Sequence, residues 1–148
     1  MRIRDAVEAD LGAIVAIERA SFSDPWTEKS FRAMLGHGTV QLRVAERGRS
    51  VLGYSVAWIV GDEAEIANLA VAAAERRQGI GAALLDDLLA LVDREASSTV
   101  HLEVRAGNAA AQALYASRGF TACGRRKAYY AAPVEDAVIM KRHGRILR

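Results

Sequence analysis

Cysteine is almost missing from this chain: Cys123 is the only one in 148 residues. A single thiol can neither close an intrachain disulfide nor furnish a zinc quartet. A free thiol also suits a reducing compartment, so a cytoplasmic protein is expected. Cys123 lies in Thr121-Ala122-Cys123-Gly124, which reads as strand; a small buried hydrophobe is expected there rather than a nucleophile. Histidine is scarce as well. His37, His101 and His143 are scattered without ligand spacing, so no metal is expected. Long apolar runs are absent, which argues against a membrane span, and Met1-Arg2-Ile3-Arg4-Asp5 lacks the apolar core of a signal peptide. Charge of one sign is not in excess either. A net charge of +2 makes no demand for direct nucleic-acid binding. The basic residues that do cluster, Arg125-Arg126-Lys127 and Lys141-Arg142-His143 running on to Arg145 and Arg148, read as solvated faces or tails. Repeats, low-complexity segments and linkers are also missing, so residues 1–148 read as one domain.

What is present suits an ordinary globular protein: half of the residues are apolar and a quarter charged, enough to bury a real core. Arg2 to Ala6 reads as a short strand. Leu11, Ile14, Val15 and Glu18 recur at helical spacing between Asp10 and Arg19. Asp24-Pro25 looks like an N-cap followed by proline at a first helical position, opening a helix that buries Phe31, Met34 and Leu35 and stops at Gly36. Val40, Leu42 and Val44 alternate with polar residues as in a half-buried strand. Short turns at Arg47-Gly48-Arg49 and Gly61-Asp62 lead into strands Val51–Val60 and Ala64–Val71, an antiparallel meander. The pattern then changes. Leu84, Leu85, Leu88 and Val92 form one helical face, with Asp86, Asp87, Asp93 and Arg94 outside it. Val100–Val104 is a strand that must return parallel to Ala64–Val71 after that helix. Asn108 caps an alanine-rich helix ending at Gly119, and Phe120–Gly124 and Ala137–Lys141 supply two last strands. The sum is an α+β fold, a mixed sheet with helices on its faces.

The most informative stretch is Arg76-Arg77-Gln78-Gly79-Ile80-Gly81-Ala82, between the apolar run Asn68-Leu69-Ala70-Val71 and a helix expected to begin near Ala82. The first N–H groups of a helix lack internal partners and the dipole adds positive charge, so such a turn can bind phosphate. Gly79 and Gly81 leave the backbone open, and Arg76 and Arg77 add cations. No lysine or hydroxyl follows Gly81, which excludes a P-loop, and Leu84 occupies the place where a dinucleotide fingerprint needs a small residue. Taken alone, the remaining R-x-x-G-x-G explains no more than a tight turn.

Two downstream residues could carry chemistry. Strand alternation puts His101 and Glu103 on one face and Leu102 and Val104 on the other. A mid-strand carboxylate beside a crevice is a candidate general base, although the same residue away from one is only a solvent-facing charge. Tyr115 follows Asn108 by seven residues, about two helical turns, so Asn108, Ala111 and Tyr115 share a face. Alone, Tyr115 reads as a core tyrosine with its hydroxyl at the rim, and capping suffices for Asn108.

The whole succession decides the reading. Strand, R-x-x-G-x-G-A, helix, Leu-Glu-Val-Arg strand and Asn-x-x-Ala-x-x-Leu-Tyr-x-x-x-Gly-Phe resemble the GNAT superfamily of N-acetyltransferases over nearly the whole chain. Asp24-Pro25-Trp26-Thr27 with Phe31, Asn68-Leu69-Ala70-Val71, and Tyr129-Tyr130 followed by Glu135-Asp136-Ala137 resemble the ribosomal-protein-alanine branch. The resemblance implies a single GNAT domain whose sheet is mostly antiparallel, with a parallel strand pair splayed at an acetyl-CoA site. It implies that the diphosphate of acetyl-CoA rests on Arg76, Arg77, Gln78, Gly79, Ile80, Gly81 and Ala82. The pantetheine arm would pair along Leu69, Ala70 and Val71, and Asn108 would bond that arm or the acceptor. Glu103 would be the general base and Tyr115 the general acid, with Trp26, Tyr129, Tyr130, Glu135 and Asp136 at the acceptor entrance. The implied acceptor is the N-terminal alanine of a small-subunit ribosomal protein, met by a monomer or weak dimer. The sequence departs from the branch at Ala128, where asparagine is usual, and in the displacement of a proline to Pro133. Both departures bear on acceptor choice, and they leave a lysine or small-molecule amine as the alternative acceptor. A non-catalytic acyl-CoA-binding module is the other reading, against which Glu103 and Tyr115 stand.

Overall fold

The computed structural model describes residues 1–94 and 99–143, so Arg145 and Arg148 lie outside the described residues. In chain order the elements are β1 (Arg2–Asp5), α1 (Leu11–Ser21), α2 (Glu28–Met34), β2 (Val40–Arg47), β3 (Ser50–Val60), β4 (Glu63–Val71), α3 (Ile80–Arg94), β5 (Thr99–Arg105), α4 (Ala109–Ser117), β6 (Thr121–Ala131) and β7 (Val134–His143). The strands form one sheet in the order β1-β2-β3-β4-β5-β7-β6. Among the described residues only β4 and β5 are parallel; the other neighbouring pairs are antiparallel. This is the expected mixed α+β sheet. Among the described residues no helix is long and apolar enough to cross a membrane.

Each face of the sheet has its own core. On one, Leu85, Leu88 and Val92 of α3 pack on Ala64, Ile66, Val100 and Leu102, with Tyr115 and Phe120 closing the far side. On the other, Leu11 and Ile14 of α1 and Phe31 of α2 cover Leu42, Val44, Tyr54 and Val56. Gly53 sits where a Cβ would lie 2.7 Å from the Ala70 carbonyl oxygen and 3.1 Å from Leu84 Cδ1. A side chain there would have to push strand and helix apart.

Several boundaries differ from the sequence reading, each for a physical reason. α3 begins at Ile80, two residues before Ala82, because Ile80 is itself core (2% exposed) and extends the buried stripe by a turn. Asp24-Pro25 does not start α2. Thr27 is the cap, its Oγ1 accepting from the Ser30 amide at 3.2 Å, because the Trp26 amide is already committed to Glu18. The last two strands are one long hairpin, with the Tyr129–Asp136 segment at its end. Register shifts between Ala122 and Gly124 and between Arg126 and Tyr130 break the two-residue alternation that would have revealed it. Cys123 occupies the first of these bulges on the sheet's outermost strand. It is therefore exposed, not buried as expected.

Candidate active site

The site exists because the sheet comes apart in its middle. β4 pairs with β5 only from Glu63 to Ile66, against Thr99 to Leu102. The next residue, Ala67, is skipped in the register with β3: Ala57 faces Ile66, and Val56 faces Asn68. An extra residue of this kind bends its strand. Beyond it Asn68–Val71 stay with β3 while Glu103–Arg105 stay with β7. The two parallel strands diverge, and a cavity of about 710 Å³ opens between them.

Leu69, Ala70 and Val71 thus have a partner strand on one side only. The start of α3 lies against them, a Cβ built on Gly81 meeting Val71 Cγ2 at 3.7 Å and Leu69 Cδ2 at 3.8 Å. The turn before α3 enters the left-handed region at Arg77 (φ 67°) and Gly79 (φ 78°). A Cβ built on Gly79 meets nothing within 4 Å, so the backbone there is open. The bond from the Ala83 amide to the Gly79 carbonyl, 3.0 Å, is where the helical ladder starts, which leaves the amides of Ile80, Gly81 and Ala82 without acceptors inside the helix. Arg76 and Arg77 are exposed beside this turn. Arg76 Nε donates to the Val71 carbonyl at 3.2 Å, and Gln78 Oε1 accepts from Arg47 at 3.4 Å. Apart from Asn108, the residues implied to hold acetyl-CoA are therefore contiguous, and amides, glycine and arginine together suit a diphosphate.

On the other wall, Glu103, Asn108, Ala111, Tyr115, Tyr129 and Tyr130 line the cavity, with Trp26 at its α1–α2 rim. Asn108 caps α4, its Oδ1 accepting from the Ala111 amide at 3.1 Å, so the shared face of Asn108, Ala111 and Tyr115 is as the spacing implies. Glu103 pairs with Arg126 Nε at 3.1 Å. It also bonds the Tyr129 hydroxyl, and this bond is the main cause that raises the Tyr129 pKa. Tyr115 is 9% exposed and edge-on to Phe120, centroids 5.7 Å apart. Burial first, then Tyr130, push its hydroxyl up to about 12. Burial also raises Tyr130, which has the Arg105 guanidinium 4.3 Å over its ring. Trp26 packs on Trp58 at 6.0 Å.

Glu135 and Asp136 do not line the cavity. Glu135 Oε2 accepts from the Gly107 amide at 2.6 Å and its Oε1 pairs with Arg105 at 3.1 Å. Asp136 Oδ1 accepts from the Ala128 amide at 2.9 Å and its Oδ2 lies 3.4 Å from Arg125. They hold the β5–α4 connection and the β6 bulge that frame the entrance. Ala128 within that bulge has φ 52°.

Sequence reasoning gave no role in the site to other lining residues, among them Trp58, Glu65, Asn68 and Arg105. Arg126, read as part of a solvated basic run, is the ion-pair partner of Glu103. Glu18 is 1% exposed. Its signal was available, since its spacing from Leu11, Ile14 and Val15 puts a carboxylate on an apolar helical face, where a buried acid needs dedicated donors.

Residues 11–120 match the acetyltransferase (GNAT) family. The chain is 38% identical over 133 residues to the ribosomal protein bS18 alanine N-acetyltransferase of Escherichia coli (strain K12), covering 88% of this chain and 89% of that one. The crystal structure of the Escherichia coli ribosomal-protein-S18-alanine N-acetyltransferase superposes with a TM-score of 0.91 at 34% identity, over 99% of this chain and 96% of the other. Ard1 from Thermoplasma volcanium superposes with a TM-score of 0.89 at 27% identity, over 98% of each chain.

Proposed function

The chain belongs to the acetyltransferase (GNAT) family and is an N-acetyltransferase, and on that premise we propose that it uses acetyl-CoA to acetylate the α-amine of a protein N-terminus, with the N-terminal alanine of ribosomal protein bS18 as acceptor. The observation that carries this reading is that Glu103 and Tyr115 line one cavity together with Asn68 and Leu69, where the one-sided strand edge Leu69–Val71 begins.

Acetyl-CoA, when bound, supplies an acetyl group on a thioester whose thiol is the leaving group. The amides of Ile80–Ala82, with Arg76 and Arg77, hold its diphosphate, and the edge of Leu69–Val71 takes its extended arm as an added strand. N–H groups of the same edge polarise the thioester carbonyl. Glu103 takes a proton from the acceptor ammonium, directly or through one water, and Tyr115 gives a hydrogen bond to the departing sulfur. An α-amine of pKa about 8 loses its proton at pH 7 for roughly 1 kcal/mol, whereas a lysine at about 10.4 needs roughly 4–5. A carboxylate base therefore suits the α-amine. Trp26, Tyr129 and Tyr130 flank the acceptor, and Glu135 and Asp136 act by holding the frame around it. The departure at Ala128 keeps the backbone that asparagine favours, since its left-handed φ is the region asparagine enters most readily after glycine.

The test is a mass-spectrometric assay with three acceptors: a peptide beginning with alanine, an N-blocked peptide bearing lysine, and a polyamine. The alanine peptide should gain one acetyl group on its α-amine. Equal reaction of the lysine peptide, or reaction of the polyamine alone, would overturn the acceptor reading.

A further inference from the structure

Glu18 is a buried carboxylate that the chemistry above does not use. It projects from α1 to the cavity floor and accepts three hydrogen bonds from three other segments. The Tyr54 hydroxyl of β3 and Asn68 Nδ2 of β4 reach its Oε1, the latter at 2.8 Å, and the Trp26 amide reaches its Oε2 at 2.8 Å. Tyr54 is fully buried, and burial and then the Glu18 carboxylate raise its pKa, which keeps it a donor. Glu18, Trp26 and Asn68 all line the cavity.

The two 2.8 Å bonds reach opposite halves of the site. Asn68 is the first residue after the Ala67 bulge, where β4 swings away from β5 and begins the one-sided edge Leu69–Val71. Trp26 stands on the acceptor rim, its ring 5.7 Å from Phe31 and 6.0 Å from Trp58. We propose that Glu18 is a positioning residue for acetyl transfer, clamping the bulged β4 edge and the Trp26 rim in register so that thioester carbonyl and acceptor amine meet. This rests on the acetyltransferase reading of the cavity, but it holds for any amine acceptor. Diphosphate binding is outside the clamp, because the Arg76–Ala82 turn does not line this cavity.

The clamp makes Glu18→Gln informative. An amide keeps the shape but has one acceptor oxygen and one donor nitrogen. Turned one way, a donor faces the Trp26 backbone N–H, which cannot accept; turned the other, it faces Asn68, whose amide must flip to accept through Oδ1, so the wild-type set of hydrogen bonds is lost either way. A displacement near 1 Å at a reacting group costs on the order of 10²-fold. On the wild-type enzyme's best amine, Glu18→Gln should lower kcat/KM by about 10- to 100-fold, while the CoA dissociation constant, read by calorimetry, should rise by a clearly smaller factor, because the arm touches the clamped edge but the diphosphate turn does not. Glu18→Gln/Asn68→Asp restores a donor–acceptor pair with reversed polarity and should recover about tenfold of the loss. Tyr54→Phe removes the core donor and leaves both cavity donors, so it should lower the melting temperature yet keep kcat/KM within about twofold. If Glu18→Gln does not fold, Asn68→Ala carries the same test from the cavity side, with the same expected loss in kcat/KM and the same smaller change in CoA affinity.

Wild-type kcat/KM in Glu18→Gln, parallel loss of CoA affinity, no recovery in the double variant, or an equal kinetic loss in Tyr54→Phe would each overturn the clamp. Because the best amine is taken as found, failure of the alanine acceptor leaves this test standing.

Discussion

Tyr115→Phe removes one oxygen from a place where little else can change. The ring is 9% exposed and held edge-on by Phe120 at 5.7 Å, so phenylalanine fills the same space. What is lost depends on how good an acid the hydroxyl is. An ordinary tyrosine near 10 sits about 1.5 units above a thiol of about 8.5, and giving up its proton to the leaving thiolate would cost about 2 kcal/mol. Burial and Tyr130 push Tyr115 up to about 12, and the same transfer becomes uphill by about 5 kcal/mol. Tyr115 therefore serves best as a hydrogen-bond donor to the developing thiolate, not as a full proton source. A hydrogen bond to a charged group contributes about 1.5–3 kcal/mol, so kcat should fall by about 10- to 150-fold. The KM for acetyl-CoA should hold, as the Arg76–Ala82 turn is untouched. Thiol release followed from pH 6 to 10 supplies both parameters. No descending limb in that range belongs to Tyr115, so the shape of the wild-type profile should survive in Tyr115→Phe. Stability gives an independent check. The unfolded chain loses this proton near pH 10 while the folded chain keeps it to about 12, so the unfolded state binds fewer protons in that window and stability falls as pH rises. The loss approaches about 2.7 kcal/mol and is absent from Tyr115→Phe. An unchanged kcat, or a wild-type alkaline limb below pH 10 that vanishes in the variant, would refute the reasoning.

Two further perturbations test the framing of the site. Arg126→Ala removes the cation paired with Glu103 at 3.1 Å, on a side chain 57% exposed. Such a pair contributes at most about 1 kcal/mol, so urea unfolding should barely shift, while the peptide KM should fall two- to fivefold as the incoming ammonium loses a competitor; an unchanged or higher KM would separate Glu103 from the acceptor. Ala128→Asn places a residue that tolerates left-handed backbone where alanine has φ 52°, and the urea midpoint should rise by the equivalent of about 0.5–1 kcal/mol. A lower midpoint would mean that the alanine methyl contributes more than its backbone costs.

Local patterns determined a great deal of this protein by themselves. The stripe Leu84, Leu85, Leu88 and Val92 required α3, the alternation around Glu103 set its face, and the step from Asn108 to Tyr115 aligned two residues on α4, because 3.6- and 2-residue periods are properties of a few neighbouring residues. The turn from Arg76 to Ala82 was legible for the same reason. The tertiary structure alone decided whether those pieces make a site. The cavity depends on a bulge at Ala67 that exists only relative to β3, and on a parallel pairing that stops at Ile66, where β4 bends away from a β5 that stays paired with β7 along its length. Cys123 was misplaced because its exposure depends on β6 being the last strand of the sheet. Arg126 looked solvated until the hairpin carried it to Glu103, and Glu18 found its donors 8, 36 and 50 residues away. A hydrogen bond needs its partner within about 3 Å, and for residues that far apart in sequence only the folded sheet brings the partner there.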